Sequence, residues 1–192
     1  ALLTDDPHMS GLDLWGVNCY RGTTFDVPGT QTSLFAEFAA LSTKPLWISE
    51  YGADAWTHAA GREDQAAQAS TDAALWAEAA SRSGICVGAS VMEWSDEWWK
   101  NQTPGLDWAS HDPGPWQRGD QPDGWSDEEY YGIVAVAQAA RGEDDVTPRR
   151  AYYALAGLWT GTPLLLAPGW NLVSIPVRTT QTVGEVQGCP SP

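Results

Sequence analysis

The chain has 192 residues, with 10 Lys or Arg against 25 Asp or Glu and a formal net charge of −15. Binding to polyphosphate is driven mainly by Lys and Arg displacing counterions, so this balance argues against a nucleic-acid or anionic-membrane partner. Hydrophobic residues, at 43%, are enough for a packed core, and no apolar run approaches the roughly 20 residues that span a bilayer.

The sequence opens with Ala rather than Met, shows no charged-then-apolar secretion signal, and stops in Cys-Pro-Ser-Pro just after a fresh strand pattern. Both ends are expected to be cut. Residues 12–20 (LDLWGVNCY) form a mostly apolar run bounded by Gly11 and Gly22, which predicts a short buried strand. After a loop rich in Gly, Pro and Thr, Leu34, Phe38 and Leu41 recur at helical spacing behind Ser33 as N-cap.

Pro45 opens a second strand, PLWIS, which ends in Glu50, Tyr51, Gly52, Ala53 and Asp54. Arg62 to Arg82 is Ala-rich, with Ala66, Ala69, Ala73, Trp76 and Ala80 along one side, and predicts a helix stopped by Gly84. A third strand, ICVGASVMEW, carries Glu93, Trp94, Ser95 and Asp96 at its end. Strands separated by helices, with crossovers of about 33 to 40 residues, predict parallel βαβ units.

Residues 95–131 are rich in Trp, Asp, Gly and Pro with little periodicity, and a loop this long in a compact domain is more often functional than idle. YYGIVAV then predicts a short strand. Thr147-Pro148 opens a helix with Tyr152, Leu155, Ala156 and Trp159 on one face and Gly161 at its end. Residues 162–169 read as a linker, and residues 170–192, with the alternating GWNLVSIPV, as the start of an all-β module.

Twelve Trp against three Phe is a costly way to fill a core. A Trp offers a broad face and one N–H donor, which suits stacking on sugar rings as well as ordinary packing. Trp98, Trp99, Trp108, Trp116 and Trp125 are candidates for either use. Cys19, Cys86 and Cys189 cannot all pair within one chain, and the first two lie in strand-like runs, so they read as buried thiols.

His8, His58 and His111 lie far apart without metal-ligand spacing, so no zinc site is expected. Asp112, Asp120, Asp123 and Asp127 are oxygen donors of the kind calcium takes, but their spacing fits no EF-hand loop, and a solvated acidic loop explains them as well.

In parallel α/β sheets the reactive groups collect at the carboxyl ends of the strands. Three such ends are visible, at 18–21, 50–54 and 93–96, and each is polar and aromatic. A carboxylate directly after a buried strand is costly unless it meets a solvated cleft or a partner. Glu50 therefore reads either as a structural acid, paired with Arg21 or a backbone amide, or as the nucleophile of glycoside cleavage.

The segments WGVNCYRG, KPLWISEYGADAW and GASVMEWSDEWWK resemble strands six, seven and eight of the retaining (β/α)8 glycoside hydrolases. The family-2 β-glycosidases and the family-72 β-1,3-glucanosyltransferases share a Pro-led seventh strand ending in Glu-Tyr-Gly. This resemblance, over about residues 11–160, implies that the chain is the C-terminal part of a TIM barrel. It further implies Glu50 as nucleophile, Tyr20 as its hydrogen-bond donor and Trp94 as a sugar platform, and no cofactor.

Asn18, Asp54, Trp56, Glu93 and Trp98 join these as candidate substrate contacts, with loop or ion-pair roles as their alternatives. The acid/base of these families follows an Asn on strand four, which this chain does not contain, and Glu93 or Asp96 is the internal alternative for that role. The implied partners are an oligosaccharide or polysaccharide and the missing N-terminal part of the same barrel. A typical barrel takes about 250 residues, so the chain alone is expected to aggregate and to lack activity.

The implied function is that of a secreted or cell-surface retaining β-glycosidase or transglycosylase on a β-linked glucan or related polysaccharide. The competing reading is a non-catalytic carbohydrate-binding or cell-surface protein with a degenerate barrel.

Overall fold

A computed structural model describes residues 6–26, 33–100, 116–117, 121–137 and 143–159. The linker expected at 162–169 and the β-module expected at 170–192 lie outside the described residues.

Strand β1 (Trp15–Asn18) begins where the amide of Trp15 bonds to the carbonyl of Pro45, at 3.0 Å. Helix α1 (Leu34–Leu41) is capped by Ser33 and buries Leu34, Phe35 and Phe38, so the predicted stripe is rotated from Leu41 towards Phe35. Strand β2 (Leu46–Tyr51) is central, with Leu46, Ile48 and Tyr51 inaccessible.

The polar stretch after β2 is not a plain loop. Strands β3 (Trp56–Thr57) and β4 (Arg62–Glu63) form a small antiparallel hairpin whose turn uses Gly61 at φ 59°, a left-handed conformation that suits glycine. This hairpin takes Arg62 and Glu63, so helix α2 (Gln65–Ser81) starts later than the sequence predicts. Asp64 caps it, accepting from the amides of Ala66 at 3.1 Å and Ala67 at 3.0 Å.

The buried face of α2 also differs from the Ala stripe. It consists of Gln68, Thr71, Asp72, Leu75 and Ala79, while Ala66 and Ala80 are exposed. Its first half is polar because it satisfies backbone groups of other segments. Asp72 accepts from the amide of Ala53 at 3.0 Å, and Gln68 Nε2 donates to the carbonyls of Ala53, Tyr131 and Gly132.

Strand β5 (Cys86–Val91) stops three residues before the predicted end, because the chain there changes partner. Glu93, Trp94 and Asp96 exchange backbone hydrogen bonds with 131–134 instead. Strands β1, β2 and β5 lie side by side in that order, both pairs parallel, joined through α1 and α2. Leu34, Phe35, Phe38, Ile48, Leu75 and Cys86 belong to the cluster that fills the space between this sheet and the two helices. Cys19 and Cys86 are buried free thiols, and Cys189 lies outside the described residues.

In the Trp-rich region, β6 (Trp116–Gln117) and β7 (Trp125–Ser126) pair antiparallel. Strand β8 (Val134–Ala137) pairs antiparallel with β9 (Asp145–Pro148), so Thr147 and Pro148 end a strand as well as lead into helix α3 (Arg150–Trp159). Ala151 and Leu155 of α3 are buried with Ile133 and Val134, and Trp159 meets Trp76 of α2 edge-on at 5.4 Å.

Arg149, just before α3, is wholly buried. Its guanidinium binds both oxygens of Asp96, at 2.5 and 2.8 Å, Glu63 at 2.7 Å and the carbonyl of Gly132 at 2.6 Å. One side chain thus ties together the segment after β5, the β3–β4 hairpin and the lead into α3.

Candidate functional site

The parallel register sets Asn18 opposite Glu50, and the amide of Cys19 bonds to the carbonyl of Glu50 at 2.9 Å. The chain leaving β1 is therefore held beside the end of β2. From there the hydroxyl of Tyr20 donates to Glu50 Oε2 at 3.0 Å. Burial first, and then the charge of Glu50, push the Tyr20 phenol far above its usual range. It stays a neutral donor at any ordinary pH.

Two further groups complete this corner. Met92, directly after β5, places its Sδ 2.6 Å from the Tyr20 hydroxyl. The Tyr131 ring stands edge-on to Tyr20, with centroids 6.1 Å apart. Gly52 makes the approach of β2 to Met92 feasible, since a Cβ there would overlap the Met92 carbonyl oxygen. The glycine of Glu-Tyr-Gly is thus a packing requirement between two strand ends.

Sequence reasoning missed Met92 and Tyr131. The signal for Met92 was the strand end itself, because a strand stopping at Val91 puts Met92 rather than Trp94 in the first position beyond the sheet. Tyr131 carried no local signal, since a contact made across such a long sequence separation follows from tertiary packing alone.

The other candidates are distributed around this corner. Asn18 accepts from the hydroxyl of Ser49 at 2.7 Å. Trp94 is 61% exposed and meets Tyr152 of α3 edge-on at 6.0 Å. Glu93 pairs with Lys100 at 3.3 Å, and Lys100 also pairs with Glu97. Burial first, and then the shared hydrogen bond with Glu97, push Glu93 up from 4.5 to about 8. Trp98 is half-buried in a short 3-10 turn that runs to Lys100. Asp96, the other internal candidate for the acid/base, is taken up by Arg149.

Asp54 and Trp56 face a small pocket that Thr57, Asp64, Pro122 and Asp123 also line. Asp54 is 8% exposed, with its oxygens accepting from the amides of Trp56 at 3.0 Å and Asp127 at 3.4 Å. Burial first, and then the charge of Asp127, push its carboxyl up from 3.8 to about 8. Trp56 packs on Tyr130 at 4.8 Å, and Trp125 stacks on His58 at 4.1 Å, so both rings have packing partners.

Asp123 spends its carboxylate on the amides of His58 and Trp125, each at 2.9 Å. Asp127 is buried, while Asp112, Asp120, Trp108 and His111 lie outside the described residues, as do the side chains of Trp99 and Trp116. Among the described residues no group of three or more His, Cys, Asp or Glu side chains is arranged to hold a metal ion.

Chemically, the Glu50–Tyr20 corner offers a carboxylate with one oxygen fixed by a neutral phenol at the carboxyl end of parallel strands. Such a group can attack an electrophilic carbon or accept hydrogen bonds from a polyol.

No protein-family model and no curated protein matches this sequence. Among solved structures the chain is similar to the β-glucuronidase of Bifidobacterium dentium complexed with coumarin-3-O-glucuronide. That match has 19% identity and a TM-score of 0.48, covering 80% of this chain and 21% of that one. It is also similar to the β-glucuronidase of Faecalibacterium prausnitzii, at 21% identity and a TM-score of 0.48, over 80% of this chain and 22% of that one. The chain spans about a fifth of the length of these neighbours.

Proposed function

We propose that this chain is the C-terminal part, about strands six to eight, of a (β/α)8 barrel. In this reading it carries the nucleophile of a secreted or cell-surface retaining glycosidase or transglycosylase that acts on a β-linked glucan or related polysaccharide. The observation that supports this best is the Tyr20 hydroxyl, 3.0 Å from Glu50 Oε2, where two parallel strands end side by side.

An oxygen of Glu50 attacks the anomeric carbon, and a glycosyl ester forms as the bond to the leaving oxygen breaks. That oxygen takes its proton from an acid on a strand outside this chain. Water, or the hydroxyl of a second sugar, then displaces Glu50 and gives its proton to the same group, now a base. Tyr20 orients the carboxylate and stabilises its charge before attack and after release.

The test is covalent trapping in the full-length gene product. An activated 2-deoxy-2-fluoro β-glycoside should add one glycosyl group to the peptide containing Glu50. Glu50→Ala should abolish both label and turnover, with azide or formate restoring part of the turnover. A label on another carboxylate, or full turnover by Glu50→Ala, overturns the assignment. Polysaccharide binding with neither label nor turnover favours the non-catalytic reading.

A further inference from the structure

A hydroxyl carries one proton, yet two acceptors stand beside the hydroxyl of Tyr20. Glu50 Oε2 lies 3.0 Å from it and Met92 Sδ lies 2.6 Å from it. Burial first, and then the charge of Glu50, keep the phenol protonated at any ordinary pH, so there is always one proton to place. The Tyr20 ring is confined by Tyr131, which stands edge-on to it at 6.1 Å. The backbone that carries the sulfur is fixed as well. The amide of Met92 bonds to the carbonyl of Tyr51 at 2.7 Å, and the Met92 carbonyl oxygen occupies space that a Cβ on Gly52 would need. The motion left to the hydroxyl is rotation of its O–H bond.

The charge on Glu50 decides between the two acceptors. A hydrogen bond to an ionised oxygen is about twice as strong as a neutral one, and a thioether is a weak acceptor, so a charged Glu50 holds the proton. Once Glu50 carries a glycosyl ester, that charge is gone and most of the preference with it. A half-buried donor left without an acceptor is costly. The nearer sulfur then supplies one.

We propose that Met92 is a positioning residue for the reaction at Glu50, its sulfur receiving the Tyr20 O–H while Glu50 is esterified and releasing it as the carboxylate re-forms. This rests on the reading of Glu50 as nucleophile, and it adds to that reading a group that sets the lifetime of the covalent intermediate. No bond breaks in the exchange, since the phenol keeps its proton and only turns. The sulfur stabilises the ester and not the charged states on either side of it. A better acceptor at this place therefore lengthens the life of the intermediate, and a side chain that accepts nothing shortens it.

The experiment traps the full-length gene product with an activated 2-deoxy-2-fluoro β-glycoside, removes the excess and follows the return of activity on an aryl β-glycoside. Met92→Leu, which conserves volume and loses the acceptor, should reactivate about fivefold faster than the wild type, the effect of one weak hydrogen bond. Met92→Gln, which brings an amide oxygen, should reactivate more slowly than the wild type. In both variants kcat/KM, which reports formation of the ester, should shift less than the reactivation rate. In a Tyr20→Phe background both substitutions should lose their effect, because no O–H is left to receive.

Reactivation of both variants at the wild-type rate overturns the proposal. So does equal acceleration by Met92→Leu with and without Tyr20→Phe, which would make the sulfur a packing group only. Where Met92→Leu does not fold, Met92→Gln decides alone, and reactivation as fast as the wild type or faster counts against the role of Met92. Peptide mapping of the label keeps the two readings apart. A label on Glu50 whose lifetime ignores the residue at 92 removes the role of Met92 alone, whereas no label, or a label on another carboxylate, removes the nucleophile and this proposal with it.

Discussion

At the scale of single residues, the contact between Tyr20 and Glu50 makes the sharpest demand. A hydrogen bond to a charged group is worth roughly 1.5–3 kcal/mol, so Tyr20→Phe should lower kcat/KM of the full-length protein by roughly 10- to 150-fold. Steady-state kinetics on an aryl β-glycoside measures this, and a loss below about twofold would mean that the phenol does not serve the carboxylate. Glu50 and Tyr20 were legible because both sit in short local motifs at strand ends. Met92 and Tyr131 were not, because their places beside Tyr20 follow from how β5 and the 131–134 segment pack. The same limit applies to Trp94, whose motif gave its position in the chain but not its partner on α3.

At the scale of elements, the periodic segments were readable and the polar ones were not. Strands β1, β2 and β5 and helices α1, α2 and α3 follow apolar runs, caps and stop signals in the sequence. The buried face of α2 was hidden because alanine on every side blurs the period, while its inward Gln68 and Asp72 look like surface residues until their backbone partners are known. The β3–β4 and β8–β9 pairs are too short or too polar to alternate visibly. Arg149 is the clearest example, a cation in a turn that proves to be the buried tie between three segments. Removing it leaves Asp96 uncompensated, so Arg149→Met should destabilise the protein by about 3–5 kcal/mol, and adding Asp96→Asn should recover part of that. Urea denaturation of the single and double variants measures both values. A loss under about 1 kcal/mol in the single variant would show that the tie is not structural.

At the scale of the whole molecule, several buried carboxyls share one sign. Asp54 is pushed up from 3.8 to about 8 and Asp127 from 3.8 to about 6, in each case chiefly by burial, and Asp72 is raised for the same reason. The folded state then binds more protons at these groups than the unfolded chain does, so the stability that Asp54 contributes is fully present below about pH 4 and is lost as pH rises towards 8. The large excess of acidic residues adds self-repulsion in the same direction. Asp54→Asn removes one of these groups. It should raise unfolding free energy at pH 8 by at least about 1.4 kcal/mol, the equivalent of one pH unit, with the gain fading towards pH 4.5. Denaturation at the two pH values checks this, and a gain that grows in acid would reverse the sign.

The sulfur beside Tyr20 exposes the proposed chemistry to oxidants. Conversion of the Met92 thioether to its sulfoxide would set a polar, bulkier oxygen against the phenol and disturb its bond to Glu50. Peroxide should therefore inactivate the full-length protein in step with sulfoxide formation at Met92, followed by peptide mass spectrometry, and Met92→Leu should lose less activity per equivalent of peroxide. The exposed Met9, far along the chain from this corner, serves as the internal control.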